Sequence, residues 1–143
     1  MDIKILNDLA TIPTYGTSGA AGADLYAATD EDIVISPGET KLIGTGIAMA
    51  IPRKYFGAIF PRSGLAVKQG LRLANSVAVI DEDYRGEVKV ALHNDSDIDQ
   101  TVPAKARIAQ LVIMPYNKVL FNEVDNLDST ERGEGGFGST GLK

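Results

Sequence analysis

Apolar residues recur at every second position in several short runs of this chain, which is the period of a strand with one face buried. In residues 87–93, EVKVALH, the alternation places Val88, Val90 and Leu92 on one face of a sheet. Residues 32–35 (DIVI), 46–51 (GIAMAI), 55–60 (YFGAIF), 107–114 (RIAQLVIM) and 118–121 (KVLF) behave in the same way. Turn-forming groups separate them: Ser36-Pro37-Gly38, Ile51-Pro52-Arg53, Asn94-Asp95-Ser96 and Met114-Pro115. Short strands at this spacing predict an all-β fold, a jelly-roll-like β-barrel. Only residues 63–70 (SGLAVKQG) predict a helix, a short one with Ser63 as its amino-terminal cap. There is no internal repeat.

With 143 residues, 44% of them hydrophobic, the chain can close one core without help from a staple. It has no cysteine, which excludes a disulfide framework, a thiol nucleophile and cysteine-ligated zinc, and its single histidine excludes a multi-imidazole metal site. The first residues, MDIKILNDLA, lack a basic region followed by an apolar run, and no stretch is long enough to span a bilayer. The expectation is a soluble protein of the cytoplasm, or of a host cell interior if the source is a virus. The Asn94-Asp95-Ser96 triplet matches a glycosylation pattern but reads as a polar turn. A net charge of -5 argues against direct nucleic acid binding through the phosphate backbone. An anionic ligand must therefore be held by local groups or a bound cation.

Apolar periodicity ends near Asp128, dividing a core of residues 1–127 from a glycine-rich arm of residues 128–143. The arm carries GEGGFGSTG at residues 133–141. Such a stretch builds no core, because glycine loses the most backbone freedom on ordering and has no side chain to bury. A solvated tail is the simplest reading, but Phe137 speaks against it. The match of Gly133, Gly135 and Gly138 to a dinucleotide fingerprint reads as accidental, since that fingerprint needs a strand before it and a helix after it. Closely spaced backbone N–H groups can instead wrap an anion, with Phe137 as a lid over a flat group such as a base.

Three further places carry chemistry. Residues 81–86, DEDYRG, are an acidic turn whose spacing does not suit a calcium loop, since Arg85 and Leu92 stand where ligands are needed. Asp81 closes an apolar stretch, which predicts a partly desolvated carboxylate able to orient water and accept its proton. Pro61-Arg62-Ser63-Gly64 joins an arginine, a hydroxyl and the N–H groups of a helix start, a combination suited to phosphate, although it also reads as an ordinary capped turn. Asp24 and Gln110 are lone polar residues in strand-like stretches, and each could simply face water. His93 shares the outward face of its strand with Lys89 and receives no role.

Taken in order, AGADLYA (21–27), PRSGLA (61–66), VIDEDYRGEV (79–88), RIAQL (107–111) and RGEGGFGSTG (132–141) resemble the five motifs of the trimeric deoxyuridine triphosphatases, the dUTPases. The resemblance runs over nearly the whole chain. It implies a homotrimer of jelly-roll subunits with three shared active sites, hydrolysing dUTP to dUMP and pyrophosphate with Mg2+. By position, it implies that Asp81 is the general base and that Tyr84 packs on deoxyribose and excludes a ribose hydroxyl. Asn75 resembles the polar residue opening the uracil-binding hairpin. Arg62, Ser63, Gly64 and Gln110 resemble triphosphate contacts, and Asp24 the acidic residue that reaches the metal through water. Arg132, Phe137, Gly138, Ser139 and Thr140 match a mobile arm that closes over the nucleotide. Ala78 departs from the pattern, standing where many members have glycine; a need for positive φ or close approach there would make its methyl group matter. Two rival readings share these features: a dCTP deaminase of the same fold, and a noncatalytic trimeric module retaining the pocket as a sensor. The DEDYRG hairpin favours hydrolysis over the first, and Asp81 argues against the second.

Overall fold

The computed structural model describes residues 1–138. Its elements are β1 (Asp2–Ile5), β2 (Thr14–Tyr15), β3 (Ala23–Tyr26), β4 (Ile33–Ile35), β5 (Thr40–Gly44), β6 (Ile47–Ala50) and β7 (Tyr55–Phe60). They continue with α1 (Ser63–Gln69), β8 (Leu71–Leu73), β9 (Ala78–Ile80), β10 (Lys89–Asn94), β11 (Gln100–Val102) and β12 (Arg107–Pro115). All pairings are antiparallel, and three of them nest: β3 with β12, β4 with β11, and β5 with β10. A long hairpin folded on itself and then wound round a core gives that nesting, so the molecule is a jelly roll. The largest sheet runs β2-β3-β12-β7-β9, with the nine-residue β12 at its centre.

The expected alternation holds along β10 and the residue before it, where Val88, Val90 and Leu92 face inward with Leu25, Ile35, Ile59, Leu73 and Ile108. Each of these side chains is almost wholly removed from water, which contributes about 1.5–3 kcal/mol per large aliphatic residue. Asn94 is also buried, at the end of β10. Its amide donates to the carbonyls of Ile35 and Ile98, both at 2.8 Å, and accepts from the Ser96 N–H and hydroxyl. A satisfied buried amide costs little, and this one pins the turn that the sequence predicts at 94–96.

Two expectations fail. Residues 118–121 form no strand, because their apolar side chains find no sheet to cover: Leu120 and Phe121 are 93% and 94% exposed. The helix forms, but Ser63 lies inside it rather than at the cap. Arg62 takes the cap position with extended backbone and gives no side-chain cap bond. At the other end Gly70 adopts a left-handed φ of 66° and closes the helix with bonds back to Ala66 and Leu65. Among the described residues no helix is long and apolar enough to cross a membrane.

Candidate active site

The outer face of β3 and β12 builds the first part of the site. Ala23 and Leu25 point inward from β3, which turns Asp24 outward beside Gln110, its partner across the ladder. Asp24 is not a solvated strand residue: its side chain is only 13% exposed, and it is gripped by two arginines. Arg62 Nε lies 3.0 Å from Asp24 Oδ1, and Arg107 NH1 lies 3.2 Å from Asp24 Oδ2. Arg62 also donates to the carbonyl of Arg107 at 3.2 Å. Gln110 Nε2 donates to the carbonyl of Pro61 at 3.0 Å, so it holds the turn that carries Arg62. Together with Gly22, Ser63 and Gly64 these residues line a cavity of about 290 Å³. Two guanidinium groups against one carboxylate leave it net positive, in a chain whose overall charge is negative. Ser63 and Gly64 are exposed at its mouth, and no atom crowds the space beside Gly64.

Arg107 was not among the residues singled out from the sequence. Strict alternation would turn it inward with Ala109 and Leu111. A register shift between Arg107 and Ala109 instead buries Ile108 and Ala109 in succession and sends Arg107 out on the side of Gln110. The signal was present in the sequence as two adjacent apolar residues, Ile108-Ala109, that break the period of two.

The second part lies on the turn after β9. Asp81 and Tyr84 line a separate cavity of about 290 Å³ with Leu42, Ile80, Glu87 and Lys89. The turn is closed by the Tyr84 N–H, which donates to the carbonyl of Asp81 at 3.2 Å. Tyr84 then folds its ring back over Gly86 and donates its hydroxyl to the carbonyl of Glu87 at 2.9 Å. The expected desolvation of Asp81 is not found within one chain: its side chain is exposed, because the neighbouring hairpin residues Val77 and Val79 point outward as well. Asn75 sits exposed in the turn between β8 and β9 and lines neither cavity. The positive φ of that turn falls on Ser76, at 61°, whereas Ala78 is an ordinary strand residue opposite Ile59. Ala78 therefore takes no positive φ.

A third cluster ties this hairpin to the root of the tail. Glu82 accepts the backbone N–H of Lys54, whose φ of 67° is left-handed, while the carbonyl of Lys54 accepts the Tyr116 N–H at 3.0 Å. The Lys54 N–H holds the Glu82 carboxyl below the ordinary value of 4.5, with Tyr116, Lys118 and Arg53 adding to the effect. Shielding from water, reinforced by the Glu82 carboxylate, pushes the Tyr116 phenol above its ordinary value.

Beyond Tyr116 the described chain forms no strand. Arg132 Nε donates to the carbonyl of Gly135 at 2.8 Å, Phe137 is fully exposed at φ 48°, and Gly138 has φ 87°. None of the three touches either cavity, and Ser139 and Thr140 lie outside the described residues. No cluster of three or more metal-binding side chains occurs among the described residues.

Fold and site together define an all-β jelly-roll protein with an anion-receptive cavity and a separate carboxylate–tyrosine hairpin. A model of the dUTPase family matches residues 8–141. This chain belongs to the dUTPase family. It is 50% identical over 139 residues to the deoxyuridine 5'-triphosphate nucleotidohydrolase of Rickettsia prowazekii (strain Madrid E), covering 97% of this chain and 94% of the relative. The enzyme of the same name from Hydrogenobaculum sp. (strain Y04AAS1) is 49% identical over 141 residues, or 99% of this chain and 97% of the relative. The Staphylococcus bacteriophage 80alpha dUTPase, solved with dUpNHpp, superposes with a TM-score of 0.89 at 30% identity, covering 99% of this chain and 98% of the other.

Proposed function

We propose that the chain is a dUTP diphosphatase, hydrolysing dUTP to dUMP and pyrophosphate by attack of water on the α-phosphorus. The observation that carries this reading is the division of labour between two cavities, one net positive and one presenting a carboxylate beside an aromatic ring, in a member of the dUTPase family. Arg62, Ser63, Gly64 and Gln110 receive the triphosphate, and Arg107 joins them through the bulge. Ion pairing to Asp24 holds both guanidinium groups in place before the ligand arrives, which lowers the cost of ordering them. Tyr84 packs against deoxyribose, and Asn75 opens the hairpin that reads uracil. Asp81 orients the attacking water and takes its proton, a role that needs positioning more than covalent chemistry.

The donor set fits magnesium that arrives with its substrate better than a resident metal. Hydrated magnesium is commonly held by one or two carboxylates together with substrate phosphates, and Asp24 is the single carboxylate of the cationic cavity. Such an ion would offset phosphate charge, with Asp24 reaching it through water.

The residues divide between two cavities of one chain and an arm whose described residues touch neither, which supports a homotrimer whose three sites are each shared among subunits. Arg132, Phe137, Gly138, Ser139 and Thr140 then close over a neighbour's nucleotide. The reaction belongs in the cytoplasm, where it limits uracil incorporation into DNA and supplies dUMP for thymidylate synthesis. Incubation with each deoxynucleoside triphosphate and Mg2+ tests the activity: pyrophosphate release from dUTP alone supports it, whereas ammonia release from dCTP points to a deaminase. Asp81→Asn should keep dUTP binding and slow turnover by about 100-fold or more. Loss of affinity with turnover intact would remove Asp81 from its role.

A further inference from the structure

Glu87 lies within the VIDEDYRGEV stretch but has been given no role, and its carboxylate is held from two sides. Its Oε1 accepts the Gly46 N–H at 3.0 Å, and its Oε2 lies 3.5 Å from Lys89 Nζ. One glycine makes room for this carboxylate and a second gives it a donor. A Cβ at Gly44 would lie 2.5 Å from Oε1, and Gly46 has a left-handed φ of 67°. Between them Thr45 is buried, with its hydroxyl 2.6 Å and its N–H 3.2 Å from the carbonyl of Val88. The Val88 N–H in turn donates to Ile47 at 2.9 Å. Residues 44–47 and 87–88 are thus stitched together on both sides of the Glu87 carbonyl.

That carbonyl is the acceptor of the Tyr84 hydroxyl. Gly86 completes the arrangement, since a Cβ there would lie 2.6 Å from Tyr84 Cζ. The residue is therefore located by its backbone N–H on the Asp81 carbonyl, by its hydroxyl on the Glu87 carbonyl and by the bare backbone of Gly86 beneath the ring. An apolar wall discriminates against an added hydroxyl by only about 100-fold at best, and a wall free to retreat forfeits that.

We propose that Glu87 is a positioning residue for sugar selection: by seating its carboxylate between Gly44 and Gly46 it fixes the carbonyl that holds Tyr84 against deoxyribose. This rests on the reading of Tyr84 as the residue that excludes ribose. The test compares kcat/KM for dUTP and for UTP in the wild type, Glu87→Ala, Glu87→Gln and Tyr84→Ala. Glu87→Ala should lower the dUTP/UTP ratio about tenfold, with the change falling on the ratio more than on kcat for dUTP. Glu87→Gln, which keeps an oxygen for the Gly46 N–H, should retain most of the discrimination. If Tyr84→Ala lowers the ratio and Glu87→Ala leaves it unchanged, the inference is overturned and the Tyr84 reading stands. If Tyr84→Ala itself leaves the ratio unchanged, the Tyr84 reading falls and the inference falls with it. Should Glu87→Ala fail to fold, Gly44→Ala carries the test, because its methyl group displaces the carboxylate without altering residue 87. A lowered ratio in that variant supports the proposal, and an unchanged ratio overturns it.

Discussion

The jelly roll and the segment after Pro115 both contain large apolar side chains, but they use them in opposite ways. In the roll, Leu25, Ile59 and Ile108 are closed off by strands that lie far away in sequence. Past Tyr116, whose N–H still bonds to Lys54, Val119, Leu120, Phe121, Val124, Leu127 and Phe137 are all exposed, and the few hydrogen bonds among the described residues are local ones such as Gly133 to Thr130. Ordering a residue costs about 1–2 kcal/mol of backbone entropy, and burial has to offset it. The roll offsets that cost within one chain. The described part of the tail does not offset it in this way, which is consistent with the proposal that the arm closes over a neighbour.

The comparison breaks most visibly if a core side chain proves dispensable. Leu25→Ala should cost about 2–5 kcal/mol, read as a fall in chemical denaturation midpoint with an unchanged slope. A loss below 1 kcal/mol would mean that the roll is not the stabilising unit. Deleting residues 132–143 should do the reverse, reducing dUTP hydrolysis by at least about 100-fold while leaving the melting temperature where it was. A truncated chain that does not fold would make the arm structural. Phe121→Ala sharpens the contrast: its effect on melting should grow weaker as protein concentration rises, as expected for a residue that acts between chains.

The smallest expected effect concerns pH. The Glu82 carboxyl is held below its ordinary 4.5 in the folded chain, so the stability it contributes is complete above that value and is lost as pH falls through the lower folded one. Asp95 behaves alike, lowered chiefly by the hydrogen bond from Arg72. Both groups lie at the surface, so each contribution is modest. Glu82→Gln should flatten the decline of melting temperature on acidification below about pH 5. An unchanged profile would show that the Lys54 peptide does not hold Glu82 in solution.

Particular residues show how far the sequence could be read. Val88, Val90 and Leu92 were legible because alternation is a property of neighbours along the chain. The strand expected at 118–121 failed for the complementary reason: the pattern says which face is apolar but not whether anything covers it. Asp24 illustrates the same limit at the site. Its motif suggested an acidic residue near a metal, but its grip on Arg62 and Arg107 depends on strands brought together from three parts of the chain. Asp81 stands out in the sequence through its motif, while its exposure in the single chain was not legible there.

By itself the sequence determined the strand periodicity, the absence of thiol chemistry, the glycine-rich ending and, through five ordered motifs, the family. Only the tertiary structure decided that β3, β4 and β5 nest against β12, β11 and β10, that a bulge turns Arg107 outward, and that Glu87 sits between two glycines under the hold of Tyr84. Local patterns arise from steric preferences acting over a few residues. Pairing partners, bulges and side-chain seats follow instead from closing long loops around one core, where the gain from burial belongs to the whole arrangement and to no single segment.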